Sequence, residues 1–198
     1  MPVYVLRHFR AEIIRLLFVL KGQEFEDKLY TFDTWPAEKP NTPFGQLPVL
    51  TVDGKDYTEY MAINRFLARE FGLMGANSQE EYEIDRVISL SNDVSSERIK
   101  VFHEKDNDKK AQLEKGLREK VIPNFMGKLQ QLAGSKGTGF TVGNKLGLGD
   151  LIIFDTIDGK TDDATMDKYP NVKAIMHNVR SNERMKAYLA ARAPTPFD

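Results

Sequence analysis

The chain has 198 residues, 41% apolar and 29% charged, with 28 basic against 29 acidic side chains, a formal net charge of −1 and no cysteine. This composition fits a soluble globular protein long enough to bury a core as one domain or two, and it excludes disulfides, cysteine-rich zinc sites, a CxxC redox couple and a cysteine nucleophile. Neither side of residue 75 is basic enough to attract nucleic acid or an anionic membrane, and Ile13 to Leu20, broken by Arg15, is too short to span a bilayer.

The first 71 residues alternate short β-like runs with helical ones. Tyr4-Val5-Leu6 reads as a strand, and Ala11 to Leu20 carries apolar residues at helical spacing. A second strand is expected over Phe25 to Tyr30. Thr31 to Phe44, with Pro36, Pro40 and Pro43, reads as a long functional loop. Val49 to Val52 and Lys55 to Thr58 form a hairpin around Asp53-Gly54, and Met61, Ile63, Phe66, Leu67 and Phe71 mark an amphipathic helix stopped by Gly72. A βαβ unit followed by a hairpin and a closing helix is a compact α/β module.

Glycines, Asn77 and Ser78 then make a linker over 74–78, dividing a domain at 1–73 from one at 79–198. The remainder reads as helical: Gln79 to about Lys105, Lys109 to about Leu132 with Pro123 inside, Asp150 to about Ile157, Asn171 to Val179 and Asn182 to Ala191. Asp155 to Asp167 is polar enough to suggest an exposed connection. His103 and His177 lack any metal spacing such as HExxH, the mixed charges of Lys105 to Lys110 read as a solvated junction, and Arg180, Arg184 and Arg192 suggest helix ends.

An α/β module ahead of an all-helical domain, with Trp35, Lys39 and the string Pro43-Phe44-Gly45-Gln46-Leu47-Pro48-Val49-Leu50 before Asp53-Gly54, resembles a cytosolic glutathione transferase, most like the sigma class. The resemblance extends through Arg10 to Arg15, Met61-Ala62-Ile63, Phe66 to Gly72, Phe140 to Asn144 and the ending Ala191-Arg192-Ala193-Pro194. It implies a thioredoxin-like N-terminal domain, an all-α C-terminal domain, a cytoplasmic homodimer, glutathione as co-substrate and no metal. In the family the bond matching Leu47-Pro48 is cis and turns the Leu47 main chain toward the cysteinyl backbone of the ligand, docked as an extra strand. The resemblance gives Trp35 and Lys39 the glycyl carboxylate, Gln46 the peptide, and Glu59 the γ-glutamyl ammonium. It places the γ-glutamyl carboxylate at the NH groups opening the helix at Tyr60, and it lets Asp93 reach the ligand of a neighbouring subunit. Gly45 belongs to the same cradle.

Three departures bear on activity. Sigma-class enzymes carry a thiol-binding tyrosine after the first strand, with a nearby arginine; here about four loop residues are missing, so His8 takes that place if the strand is aligned and Tyr4 if the helix is. His8 is preferred because it falls at the strand exit, where ligands meet an α/β sheet. As an NH donor beside Arg10 it would contribute to the ~2.7 kcal/mol needed to lower a thiol pKa by ~2 units; the alternative is that it satisfies a backbone carbonyl. Tyr60 replaces a serine, moving its hydroxyl outward, and Gly147 replaces the hydroxyl N-cap of the motif ending at Asp150.

The expected activity is addition of the glutathione thiolate to a small hydrophobic electrophile in a cleft facing the second domain. A glutathione-dependent isomerase, an S-crystallin-like structural protein and a ligandin for glutathione conjugates are the alternatives.

Overall fold

The computed structural model describes residues 2–134 and 138–192; Ala193 and Pro194 of the family-like ending lie outside the described residues. Two compact units divide the chain. One comprises residues 1–73 together with the segment from residue 183 onward, and the other residues 74–182. By its contacts the last helix therefore groups with the first unit, although its position in the sequence places it in the helical domain.

The first unit opens with β1 (Tyr4–His8), α1 (Glu12–Lys21) and β2 (Glu26–Leu29), a parallel βαβ step in which Leu6 pairs with Asp27 and His8 with Leu29. Strands β3 (Val49–Val52) and β4 (Lys55–Tyr57) follow as an antiparallel hairpin, and β3 returns beside β1. The sheet order is β2-β1-β3-β4, the thioredoxin-like arrangement. Asp53 and Gly54 both have positive φ, the backbone twist a two-residue hairpin needs and glycine supplies without steric cost. β2 is an edge strand, and its exposed Glu26, Asp27 and Lys28 discourage pairing with another chain.

Alternation along β1 sends Tyr4, Leu6 and His8 to one face and Val5 and Arg7 to the other. The first face is the core. It meets Ile13, Ile14, Leu16, Leu17 and Phe18 of α1 and Ile63 and Leu67 of α3 (Tyr60–Glu70), all almost fully buried. Each such side chain contributes about 2 kcal/mol of burial. Helix α3 ends in a Schellman turn, Leu73 donating to the Ala68 carbonyl at 2.7 Å and Gly72 to Arg69 at 3.1 Å.

The Thr31–Phe44 segment, expected to be irregular, contains a helical turn, α2 (Trp35–Glu38), and a 3-10 turn at Lys39–Asn41. Pro36 and Pro40 sit in the first turns of these pieces, where no backbone NH is needed, so they start the turns instead of breaking them.

The second unit is helical: α4 (Ser78–His103), α5 (Asn107–Gly116), α6 (Ile122–Gly134), α7 (Leu148–Ile157), α8 (Asp163–Met166) and α9 (Pro170–Ser181). The single helix expected over 109–132 is divided by a π turn at Leu117–Val121. Pro123 donates no NH and its ring crowds the carbonyl of Glu119, and the wider turn accommodates both. The polar run from Asp155 is only partly a connection: Thr156 and Ile157 are buried in α7 and Met166 is buried in α8. Among the described residues no helix is long and apolar enough to cross a membrane.

Helix α7 is apolar all round and central, packing on α4 and α9. Gly147 has no side chain to cap it, so Asp150 does the work alone. It accepts from the Gly147 NH at 2.9 Å, and from the NH and hydroxyl of Thr141 at 2.7 and 2.8 Å. Burial outweighs these donors and raises the Asp150 pKa from 3.8 to about 6. Between about pH 4 and 6 the folded chain thus holds a proton that the unfolded chain has released, so this group lowers stability as pH rises and its effect is complete above pH 6. Relative to wild type, Asp150→Asn should gain up to about 3 kcal/mol as pH is raised across that window, measured by urea unfolding at each pH.

The α10 helix (Glu183–Ala191) straps α1 at both ends. Arg184 donates to the Leu20 and Lys21 carbonyls at 3.2 and 3.0 Å, while Tyr188 and Arg192 donate to the buried Glu12 carboxylate at 3.0 and 2.8 Å. Burial, then the Glu12 charge, push the Tyr188 hydroxyl well above its ordinary pKa, keeping it a donor. On α3, by contrast, Asn64 is fully buried with Oδ1 unpartnered and its amide NH only 3.7 Å from the Met61 sulfur. Asn64→Ala should therefore raise stability by ~1 kcal/mol, seen as a higher thermal midpoint.

Candidate functional site

Two short stretches of the first unit converge. The segment entering β3 and the segment entering α3 enclose a cavity of about 130 Å³ lined by Phe44, Gln46, Leu47, Pro48, Thr58, Glu59 and Tyr60. The Leu47-Pro48 bond is cis, as the resemblance implies. Glu59 precedes the helix with φ 69° and ψ 104°, a conformation that costs a non-glycine residue energy and that the surrounding fold must hold. No side chain caps α3, so its first NH groups and dipole favour an anion beside Glu59 and Tyr60.

Gly45, at φ 62°, lies beneath Lys39: a Cβ there would stand 3.4 Å from Lys39 Cε, so the lysine stem lies over the glycine, but Gly45, Lys39 and Trp35 are not among the residues lining the cavity. Trp35 packs edge-on to Phe9 and Tyr30, with centroids 5.6 and 6.4 Å apart. Asp93 is exposed on α4 in the other unit, lining an open groove of about 680 Å³ with Tyr82, Arg86, Leu90 and Lys128.

The thiol-contact candidates are placed very differently. Tyr4 lies at the far end of β1, its ring packed against Phe18 and Phe71 with centroids 5.1 and 6.1 Å away. Burial, then the charges of Glu70 and Asp53, raise its hydroxyl pKa, the opposite of a setting that stabilises a thiolate. His8 is at the strand exit but only 1% exposed, with Nε2 2.5 Å from Asp27 Oδ1 and Nδ1 buried without a partner. Burial pushes the Asp27 carboxyl up, but the hydrogen bond and charge of His8, together with Arg15, hold it below its usual range. Arg10 is half-buried in the connection that follows.

That connection is only Phe9, Arg10 and Ala11, and Ala11 adopts a left-handed conformation, φ 41° and ψ 42°, to start α1. The Ile13 NH at the opening of α1 donates to the Tyr60 hydroxyl at 3.4 Å. Tyr60 therefore does not carry its hydroxyl outward, as its length suggested; the shortened connection brings a second helix N-terminus to meet it. Phe44 and Thr58 line the cavity without having been assigned to the site, although Phe44 lies inside the family-like string and Thr58 directly precedes Glu59. Asp27 gave no signal, because a carboxylate on an edge strand looks like a solvated one.

Among the described residues no cluster of three or more His, Asp or Glu side chains has the geometry of a metal site.

Residues 1–69 match the family "Glutathione S-transferase, N-terminal domain", and residues 92–192 match "Glutathione S-transferase, C-terminal domain". The chain is 35% identical to glutathione S-transferase 2 of Manduca sexta over 205 aligned positions that cover 100% of both. It is similar in structure to a sigma class GST of Fasciola hepatica and to a Nu-class GST of Haemonchus contortus. Each gives a TM-score of 0.86 at 34% identity, covering 98% of this chain and 99% of the other. With cradle, architecture and relatives in agreement, the chain belongs to the glutathione S-transferase family.

Proposed function

We propose that the chain binds glutathione in the first-unit cavity and transfers its thiolate to electrophilic carbons of small hydrophobic compounds, as a sigma-like enzyme. The observation that carries this reading is that Gln46, Leu47, Pro48, Glu59 and Tyr60, chosen from two separate stretches of sequence, line one cavity. In this reading the Leu47 main chain pairs with the cysteinyl backbone, and Gln46 donates to and accepts from the peptide. Glu59 takes the ammonium group, the α3 N-terminus takes the γ-glutamyl carboxylate, and Trp35 and Lys39 take the glycyl carboxylate. A homodimer in which Asp93 approaches the ligand of the other copy, working in cytoplasmic detoxification, completes the proposal.

Thiol contact falls to His8 and not to Tyr4, whose ring is committed to the core. Because His8 is 1% exposed, that contact needs the groups covering it to move, and turnover is correspondingly slow. The same burial favours the second reading, a protein that binds glutathione or its conjugates without turning them over.

Calorimetry with glutathione and conjugation of a generic aryl halide test both readings. Glu59→Gln should weaken glutathione binding about tenfold through loss of a charge-assisted contact. His8→Ala should abolish conjugation while binding persists, and Tyr4→Phe should leave both intact. Loss confined to Tyr4→Phe would reverse the assignment, whereas binding by a wild type without turnover selects the second reading. Absence of both activities in the wild type removes the glutathione reading altogether.

A further inference from the structure

The sheet face opposite the core carries one guanidinium that no part of the glutathione cradle accounts for. Arg7 projects from the middle of the sheet with its side chain 13% exposed. Its Nη1 donates to Glu38 Oε1 at 3.0 Å and to the Asn41 carbonyl at 3.2 Å. Its Nη2 donates to Asp56 Oδ2 at 2.7 Å and, more weakly, to Thr51 Oγ1 at 3.4 Å. Thr51 in turn donates to the other Asp56 oxygen at 2.5 Å, so the acceptor side is itself fixed on the β3–β4 hairpin. Burial works against the Arg7 charge, but the bonds to Asp56 and Glu38 outweigh it and raise its pKa.

The two loop anchors bracket Lys39: Glu38 immediately precedes it and Asn41 follows two residues later. Lys39 also holds the loop to itself, since its carbonyl accepts from the Thr42 hydroxyl at 2.9 Å and its stem covers Gly45. The geometry points to Arg7 as a positioning residue that pins the Trp35–Asn41 segment to the sheet and thereby sets where Trp35 and Lys39 meet the glycyl carboxylate of glutathione. This rests on the glutathione reading proposed above. Lysine, a point charge with one head group, cannot hold both branches, whereas the planar guanidinium fork does.

The test compares glutathione with γ-glutamylcysteine, the same peptide without the glycyl end, by calorimetry on the full chain. Trp35 is the only tryptophan, so acrylamide quenching of its fluorescence follows the loop without any ligand. In Arg7→Met, glutathione affinity should fall about tenfold while γ-glutamylcysteine affinity stays within about twofold, and Trp35 should become more quenchable. Glu38→Gln, which spares the Asp56 branch, should show a smaller loss of the same selectivity, and it carries the test if Arg7→Met does not fold. Arg7→Lys should restore at most part of the difference. If the preference for glutathione survives in both Arg7→Met and Glu38→Gln, or if both peptides weaken equally, the role of Arg7 is overturned. A wild type that binds neither peptide overturns the glutathione reading itself, and the assignment to Arg7 with it.

Discussion

Three residues between the first strand and the first helix govern the rest of the site. With only Phe9, Arg10 and Ala11 to turn the chain, Ala11 must take a left-handed conformation, and α1 starts without a side-chain cap. Groups from elsewhere in the unit gather at this helix start. The Ile13 NH meets the Tyr60 hydroxyl, while Glu12 draws Arg15, Tyr188 and Arg192 around a carboxylate that is 3% exposed. Just before this connection, His8 ends β1 with its ring against Asp27.

Three charged clusters of the first unit follow one rule: a charge partly or wholly withdrawn from water keeps partners. Breaking such an arrangement by removing one member leaves the other uncompensated. Glu12 has two cations and a phenol, Asp27 an imidazole and a guanidinium, and Arg7 two carboxylates. The Arg7 set lies on the sheet face opposite the core, the Asp27 set at the β2 edge, and the Glu12 set joins α1 to α10, so the sheet holds its loop and the first helix holds the last. Polar anchoring of this kind fixes positions more sharply than apolar contact, because each bond has a direction.

The sheet was legible in the sequence because its signals are local: the β-branched run at Val49–Val52 and the turn at Asp53-Gly54 each depend on neighbours in the chain. The stretches at Gly45 to Pro48 and Glu59 to Tyr60 were singled out by their resemblance to a known family. The helical turns at Trp35–Asn41 were hidden because a proline in a first turn looks like a proline that ends one. The π turn before Pro123 was hidden because periodicity does not register one extra residue. The packing of Tyr4 against Phe18 and Phe71 joins residues far apart in the chain, so it was not legible locally. The pairing of His8 with Asp27 depends on strand register across 19 residues, information that no short window of sequence holds.

The strap formed by α10 makes the first unit discontinuous in the chain, with the whole helical unit inserted between its two parts. During synthesis the sheet and α1 emerge early, but the groups that seal Glu12 and cap the end of α1 are translated only after the helical unit. A nascent chain on the ribosome therefore exposes an unfinished first unit while the helical unit is being made. The helical unit, contiguous from residue 74 to 182, can close first and wait.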